Sequence, residues 1–323
     1  MYNTIKLEKG LYSITNKSFT QALTDLDPDE QYENTPMKKL DAFERQLKRF
    51  NIRVGGTNSD KVEKFFLSTE SAVLFPEYVR RMIKKGMDDA SLTTDIVGAV
   101  SYTDSADFRG LTVTSMGTNP IGETAGLPVT NVRLSSSAKP LKKFARKLSC
   151  SYESIRKQRL EAFGVILQGL GASLSRDINS TCMKEITDGI SPSTIEGSTI
   201  TYADLAKFWS SMGDHDMTTM VCTPETMASI LALDEMKYCV SDFMTSGKVK
   251  TPYGVTIVKC PQLEKNTAVG IDKNCAVEMV FGTDIIVDFD KLISSQCDEI
   301  ACSVTVGFST LTADAVKVLK TAK

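Results

Sequence analysis

Residues 111–134 read LTVTSMGTNPIGETAGLPVTNVRL. Leu111, Val113 and Met116 alternate with polar residues, and Val129, Val132 and Leu134 do so again on the far side. Gly117, Pro120, Gly122, Gly126 and Pro128 punctuate the middle. Two alternating runs joined by a Gly/Pro-rich tip specify a long β-hairpin. The tip is too polar and too rich in glycine to lie in a core. Both faces of such a ribbon meet water, and two strands alone are marginal, so this element is unusual in a monomer.

Downstream, Ser151 to Ile186 carries Ile155, Phe163, Ile166, Leu167, Leu170, Leu174, Ile178 and Ile186 at three- and four-residue steps. That spacing predicts one long amphipathic helix, roughly 50 Å from end to end. Gly164, Gly169 and Gly171 fall inside it, where each costs about 1 kcal/mol relative to Ala unless close packing or a bend requires it. They do not sit between a strand and a helix, so they are not a phosphate loop. Between hairpin and helix lie Lys139, Lys142, Lys143, Arg146 and Lys147, followed by Arg156, Lys157 and Arg159. With few aromatics nearby, this basic stretch reads as a solvated or interface-facing surface rather than a nucleic-acid site.

After Asp188-Gly189 the texture is mixed. Thr201 caps a helix with Leu205, Phe208, Trp209 and Met212 on one face, read as core packing. A short buried strand over Met217–Cys222 leads into Thr223-Pro224-Glu225, with Pro at the first helical position. Strands are expected at 253–259, 267–271, 276–281, 285–289 and 300–311. The fold class is α+β.

Upstream, Asp25, Asp27, Asp29, Glu30 and Glu33 around Pro28 read as an exposed acidic loop. A basic amphipathic helix follows, with Leu40, Phe43, Leu47 and Phe50 on one stripe, and Gly55-Gly56 is the expected break. One short helix cannot bury its own stripe, so it docks on this chain or on a neighbour.

The chain has 323 residues, 41% of them hydrophobic, with 38 Lys+Arg against 40 Asp+Glu. A net charge of -2 argues against a dedicated nucleic-acid binder. No apolar run reaches the length of a membrane helix, and residues 1–10 lack the apolar centre of a signal peptide. Eight scattered cysteines without a C-x-x-C pair read as reduced, buried thiols. His215 is the one histidine, so a multi-histidine metal site is excluded, and it is expected in an exposed polar turn. The acidic pairs Asp88-Asp89, Asp288/Asp290 and Asp298-Glu299 lack metal-loop spacing. No catalytic, cofactor-binding or metal-ligating residue is assigned, and the expectation is a protein that is not an enzyme and holds no cofactor.

The order of parts (arm, hairpin, long helix, mixed region, closing strands) resembles the major capsid proteins of tailed bacteriophages, with the HK97-like fold. The strings that carry the resemblance are FFLSTESAVLFPEYVRR at 65–81, Ala138-Lys139-Pro140 running to Leu148, MVCTPETM at 220–227, TPYGV at 251–255, Gly307-Phe308 and Asp314-Ala315. The first is similar to capsid proteins of phages of Gram-positive hosts. The resemblance spans roughly residues 62–320 and implies an N-terminal arm over 1–75. It implies an extended loop over 105–147 that lies on the adjacent subunit. A peripheral domain would comprise 76–104, 148–194 with the spine helix, and closing strands at 286–311. An axial domain would span 195–285, and a C-terminal segment 312–323.

The implied function is self-assembly into pentamers and hexamers of an icosahedral shell around a phage genome. The implied partners are further copies of the chain, a separate scaffolding protein, a portal, and double-stranded DNA held by weak non-specific contact. No membrane is implied, and the implied location is the virion capsid, assembled in the host bacterial cytoplasm. Relatives that crosslink join a Lys to an Asn. Lys139, Lys142 and Asn119 occur here without a motif, so crosslinking is not carried over. An encapsulin-type bacterial compartment shell is the near alternative. A soluble thiol- or carboxylate-dependent enzyme is the distant one.

Overall fold

A computed structural model describes the chain except residues 1–3, 16, 115–121, 124–125, 128, 130, 196, 198–199 and 322–323. Met116, Gly117, Asn119, Pro120 and Pro128, named above for the hairpin tip and crosslinking, lie outside the described residues. Helices and sheets are interleaved, as expected of an α+β chain. Two compact units share it, one built from 1–90, 145–174 and 285–303, the other from 91–144, 175–284 and 304–323.

In the first unit, Ser18 and Gln21 form a capping box on the helix Phe19–Leu26, and Asp41 and Glu44 form another on Ala42–Arg49. The second helix ends at Asn51, in the left-handed conformation at φ 52°, and Ile52 N–H bonds back to the Leu47 carbonyl at 2.8 Å. This Schellman stop precedes the Gly55-Gly56 break expected from sequence, because asparagine tolerates positive φ. The helix buries Phe43 and Leu47 within its own chain. Asp41 accepts from Arg81 at 2.5 Å, Arg81 lies 4.3 Å over the Phe43 ring, and Glu70 accepts from Arg49 at 2.9 Å. The middle of the stripe is therefore covered by this chain, while Leu40 and Phe50 at its ends are half-buried. Within the acidic stretch, Asp27 departs from the exposed-loop expectation: it is buried, and accepts from Arg45 at 2.5 Å and from Tyr32 at 2.6 Å.

The helix Phe75–Ala90 is the scaffold of this unit. The Tyr78 hydroxyl donates to the Leu160 carbonyl at 2.6 Å, and Phe65, Phe75, Phe163 and Phe289 share one aromatic cluster. The expected single helix from Ser151 is two, Tyr152–Lys157 and the 28-residue Leu160–Thr187. Gln158 is extended between them, because its carbonyl accepts from Val62 N–H at 3.0 Å while Leu160 N–H bonds Asp60 at 2.8 Å. At 1.5 Å per residue the longer helix is roughly 42 Å long.

The second unit is organised by a six-stranded sheet. Its order is 193–195, 316–321, 267–271, 219–222, 256–259, 249–250. Pairing is mixed: 256–259 and 219–222 run parallel, and 267–271 runs antiparallel to both of its neighbours. Every residue of the two central strands, Thr219–Cys222 and Thr267–Ile271, is buried. The helices Tyr202–Ser210 and Pro224–Leu231, capped by Thr201 and Thr223, add Leu205, Phe208 and Ile230 to this core. The C-terminal segment expected beyond 312 carries the strand Val316–Thr321, which pairs with 267–271 over five residues. A four-stranded sheet has the order 99–102, 277–292, 297–310, 142–151; the strands expected at 276–281 and 285–289 are one.

Candidate functional site

The acidic pairs considered from sequence do not converge. Asp88, Asp89, Asp288 and Asp290 are exposed, and Glu299 accepts from Lys147 at 2.7 Å. None of the eight cysteines forms a disulfide. Burial pushes up those of Cys150, Cys182, Cys260, Cys275 and Cys302, and that of Cys222 to about 12. A nucleophilic thiol needs the opposite shift, so these positions do not suit a thiol-dependent enzyme. Phe208 is core, as expected, but Trp209 is 41% exposed and stacks on Tyr253 with ring centres 5.9 Å apart.

His215 is not in a freely exposed turn. Its Nδ1 lies 3.6 Å from Cys275 Sγ and 3.8 Å from an Asp272 carboxylate oxygen. Backbone pairing causes this: Thr218 N–H bonds the Ile271 carbonyl at 3.1 Å, and Thr218 Oγ1 accepts from Lys273 N–H at 2.9 Å. These bonds draw the segment after His215 against the turn that closes the strand 267–271. The cluster was not visible in the sequence because His215 lies about 60 residues from Asp272 and Cys275. The one local signal was the Asp-x-x-Cys spacing directly after a strand. Among the described residues it is the one group of three His, Cys or carboxylate ligands within ligand distance.

The hairpin is present as expected. Leu111–Thr114 pairs antiparallel with Asn131–Leu134 in register Leu111↔Leu134, and below it Asp107–Phe108 pairs with Lys139–Pro140. Its root is seated tightly: a Cβ on Gly307 would stand 2.5 Å from Phe108, and one on Gly282 would stand 2.7 Å from Leu141. Beyond the root, the hairpin residues whose burial is described are exposed. All four residues of 131–134 are exposed, Val132 at 59% and Leu134 at 62%, so both faces of this strand meet solvent. Leu127 and Val129, nearer the tip, are exposed as well.

The basic stretch is spread along the strand Lys142–Ser151 and partly answered by distant acids. Glu185 accepts from Lys142 at 2.6 Å and lies 3.8 Å from Lys139. This is a surface of paired charges rather than a polyanion track. In the first unit, Phe66, Phe75, Pro76, Ile155 and Phe289 line an open cavity of about 610 Å³. Lys9, Arg156, Asp290 and Lys291 also line it. In the second unit, Leu231, Tyr238, Val240, Phe243 and Met244 are 45–87% exposed around the end of a helix. The first surface mixes apolar and charged side chains, and the second exposes several large apolar ones.

Residues 135–290 match the family model described as phage capsid protein. No curated protein matches the sequence. Among solved structures, the virus-like particle from Pyrococcus furiosus is similar at TM-score 0.56 and 15% identity, covering 76% of this chain and 98% of that one. The capsid of a native GTA particle is similar at TM-score 0.53 and 13% identity, covering 72% and 90%. A Microbacterium phage, Oxtober96, is similar at TM-score 0.50 and 12% identity, covering 72% and 91%. The fold is the HK97-like capsid fold.

Proposed function

We infer that the chain is the major capsid protein of a tailed bacteriophage, a structural subunit that forms the shell. The observation that carries this reading is the phage-capsid match over 135–290 on a chain with the HK97-like fold. The hairpin supplies the physical reason for assembly. A two-stranded ribbon with exposed Leu111, Val132 and Leu134 gains its missing cover only from another molecule. In the proposed arrangement that molecule is the adjacent copy, and one patch meets a different patch around closing rings of five and six. Each hairpin then adds a second contact to the one between bodies, and linked weak contacts multiply.

The proposed division keeps 76–104, 148–194 and 286–311 as the peripheral domain, 195–285 as the axial domain and 105–147 as the extended loop. The strand 316–321, paired with 267–271, joins the axial sheet. The proposed partners are a scaffolding protein, a portal and double-stranded DNA lightly held by a wall of net charge -2. Assembly is proposed to take place in the host bacterial cytoplasm, before the shell becomes part of the virion.

Electron microscopy and sizing of the expressed chain test this. Closed shells are expected from the native sequence. Val132→Asp together with Leu134→Asp is expected to give soluble subunits with unchanged circular dichroism and no shells. A native chain that stays monomeric under assembly conditions overturns the reading. Particles that hold a protein cargo and no DNA would turn it toward a compartment shell.

A further inference from the structure

His215, Asp272 and Cys275 bring three different ligand types within 4.8 Å of one another, and their spacing is informative. The His215–Asp272 separation of 3.8 Å is too long for a hydrogen bond. The His215–Cys275 separation of 3.6 Å is a loose thiol contact. Around a tetrahedral zinc ion, with Zn–S near 2.3 Å and Zn–N or Zn–O near 2.0 Å, the S···N edge is about 3.6 Å and the N···O edge about 3.3 Å. The first edge is already present. The second needs the carboxylate to move by about half an ångström, a small turn about its side-chain torsions.

The donors stand on fixed backbone. Asp272 N–H bonds Ala315 at 2.9 Å, the Asp272 carbonyl accepts from Ala276 N–H at 3.0 Å, and Asp272 Oδ1 accepts from Asn274 N–H at 3.1 Å. Asp272 and Cys275 are thus held on one turn, while His215 comes from the segment that the Thr218 bonds draw alongside. The pattern is not a Cys-His-Asp catalytic relay. Cys275 and Asp272 face the same imidazole nitrogen, whereas a relay needs them on opposite ones. Sharing one nitrogen is what ligands around a common ion do. The His215 side chain is 26% exposed, which leaves a path for the ion and room for a water as fourth ligand.

We propose that His215, Asp272 and Cys275 form a site for a zinc-class divalent cation, which ties the segment before the strand 219–222 to the turn after the strand 267–271. Mixed thiolate, imidazole and carboxylate donors suit Zn2+ and its spectroscopic substitute Co2+, and suit Mg2+ and Ca2+ poorly. The site lies wholly within the second unit and is independent of the shell reading.

The test is titration of the full-length chain, purified free of metal under reducing conditions, with Co2+ and then Zn2+. One Co2+ per chain is expected, with the thiolate-to-cobalt charge-transfer absorption of a tetrahedral site, displaced by Zn2+. Cys275→Ser is expected to abolish that absorption. His215→Ala and Asp272→Asn are each expected to weaken Co2+ binding about a hundredfold, since loss of even an outer-shell partner costs 10–100-fold. Cys297→Ser, a change at a thiol outside the cluster, is expected to leave binding unchanged. Circular dichroism establishes that each variant is folded, and Asp272→Asn, nearly isosteric, serves should His215→Ala fail to fold. No charge-transfer band in the native chain, or a band that survives Cys275→Ser, overturns the proposal.

Discussion

Glu77 shows how the first unit balances a buried charge. Its carboxylate is 1% exposed, and accepts from Arg80 at 2.8 Å, Arg81 at 2.9 Å and Thr20 at 2.7 Å. Burial pushes its pKa up, but the hydrogen bond and charge of Arg80, with Thr20 and Arg81, outweigh that and hold it below its ordinary 4.5. A carboxyl with a depressed folded-state pKa binds a proton more readily when unfolded. Its contribution is therefore complete above about pH 4.5 and is lost as pH falls through the folded-state value. Glu77→Gln is expected to destabilise by about 1–3 kcal/mol at neutral pH, because the arginines lose a charged acceptor. The gap between native and variant unfolding midpoints should narrow as pH is taken from about 6 to about 3. A gap that stays constant with pH would mean that Glu77 acts through packing alone. Arg45 and Asp27 form a second buried pair. The Arg45–Asp27 pair was not legible in the sequence, since its partners are 18 residues apart and meet only by packing. Arg80 and Arg81 stand at helical spacing from Glu77, but the burial of that carboxylate and its bond from Thr20, 57 residues away, are likewise set by packing.

At the scale of elements, glycine decides how closely two helices approach. A Cβ on Gly86 would stand 2.0 Å from the Gln168 carbonyl oxygen, and one on Gly171 would stand 2.0 Å from that of Ile83. The helices Phe75–Ala90 and Leu160–Thr187 thus touch backbone to backbone, and no side chain can yield there. Gly169, two residues from Gly171 and so on another side of the helix, has nothing within 4 Å. Gly86→Ala and Gly171→Ala are each expected to destabilise the subunit by about 1–3 kcal/mol through overpacking. Gly169→Ala is expected to stabilise it by about 0.5–1 kcal/mol through helix propensity. Denaturant unfolding of isolated subunits measures all three, and a common sign would refute the close approach. The periodicity of 160–187 and the alternation of 111–134 were legible because each follows one local rule. The break at Gln158 was not, since it exists only to pair with 60–62. The strand 316–321 was not either, because its place in the sheet depends on a distant partner, 267–271. The His215 cluster was hidden for the same reason. Local pattern names elements; long-range pairing places sites.

At the scale of the molecule, the hairpin separates what one chain can stabilise from what the proposed shell must. The six-stranded sheet is internally complete, with Thr219–Cys222 and Thr267–Ile271 fully buried. The ribbon of 111–114 and 131–134 has one ladder of hydrogen bonds and exposed side chains along all of 131–134. Opening such a ladder exposes little new apolar surface, so its local stability in a free subunit is near zero, whereas the sheet opens only with global unfolding. Covering the ribbon changes that, because opening must then also break the contact with the neighbour. Hydrogen exchange followed by mass spectrometry is expected to show the amides of 111–114 and 131–134 exchanging within seconds in free subunits. The same amides should be protected in assembled shells, while those of 219–222 and 267–271 are protected in both. Equal exchange of the hairpin in the two states would mean that its strands remain uncovered in the shell. The apolar surface of Val132 and Leu134 would then play no part in holding neighbours together.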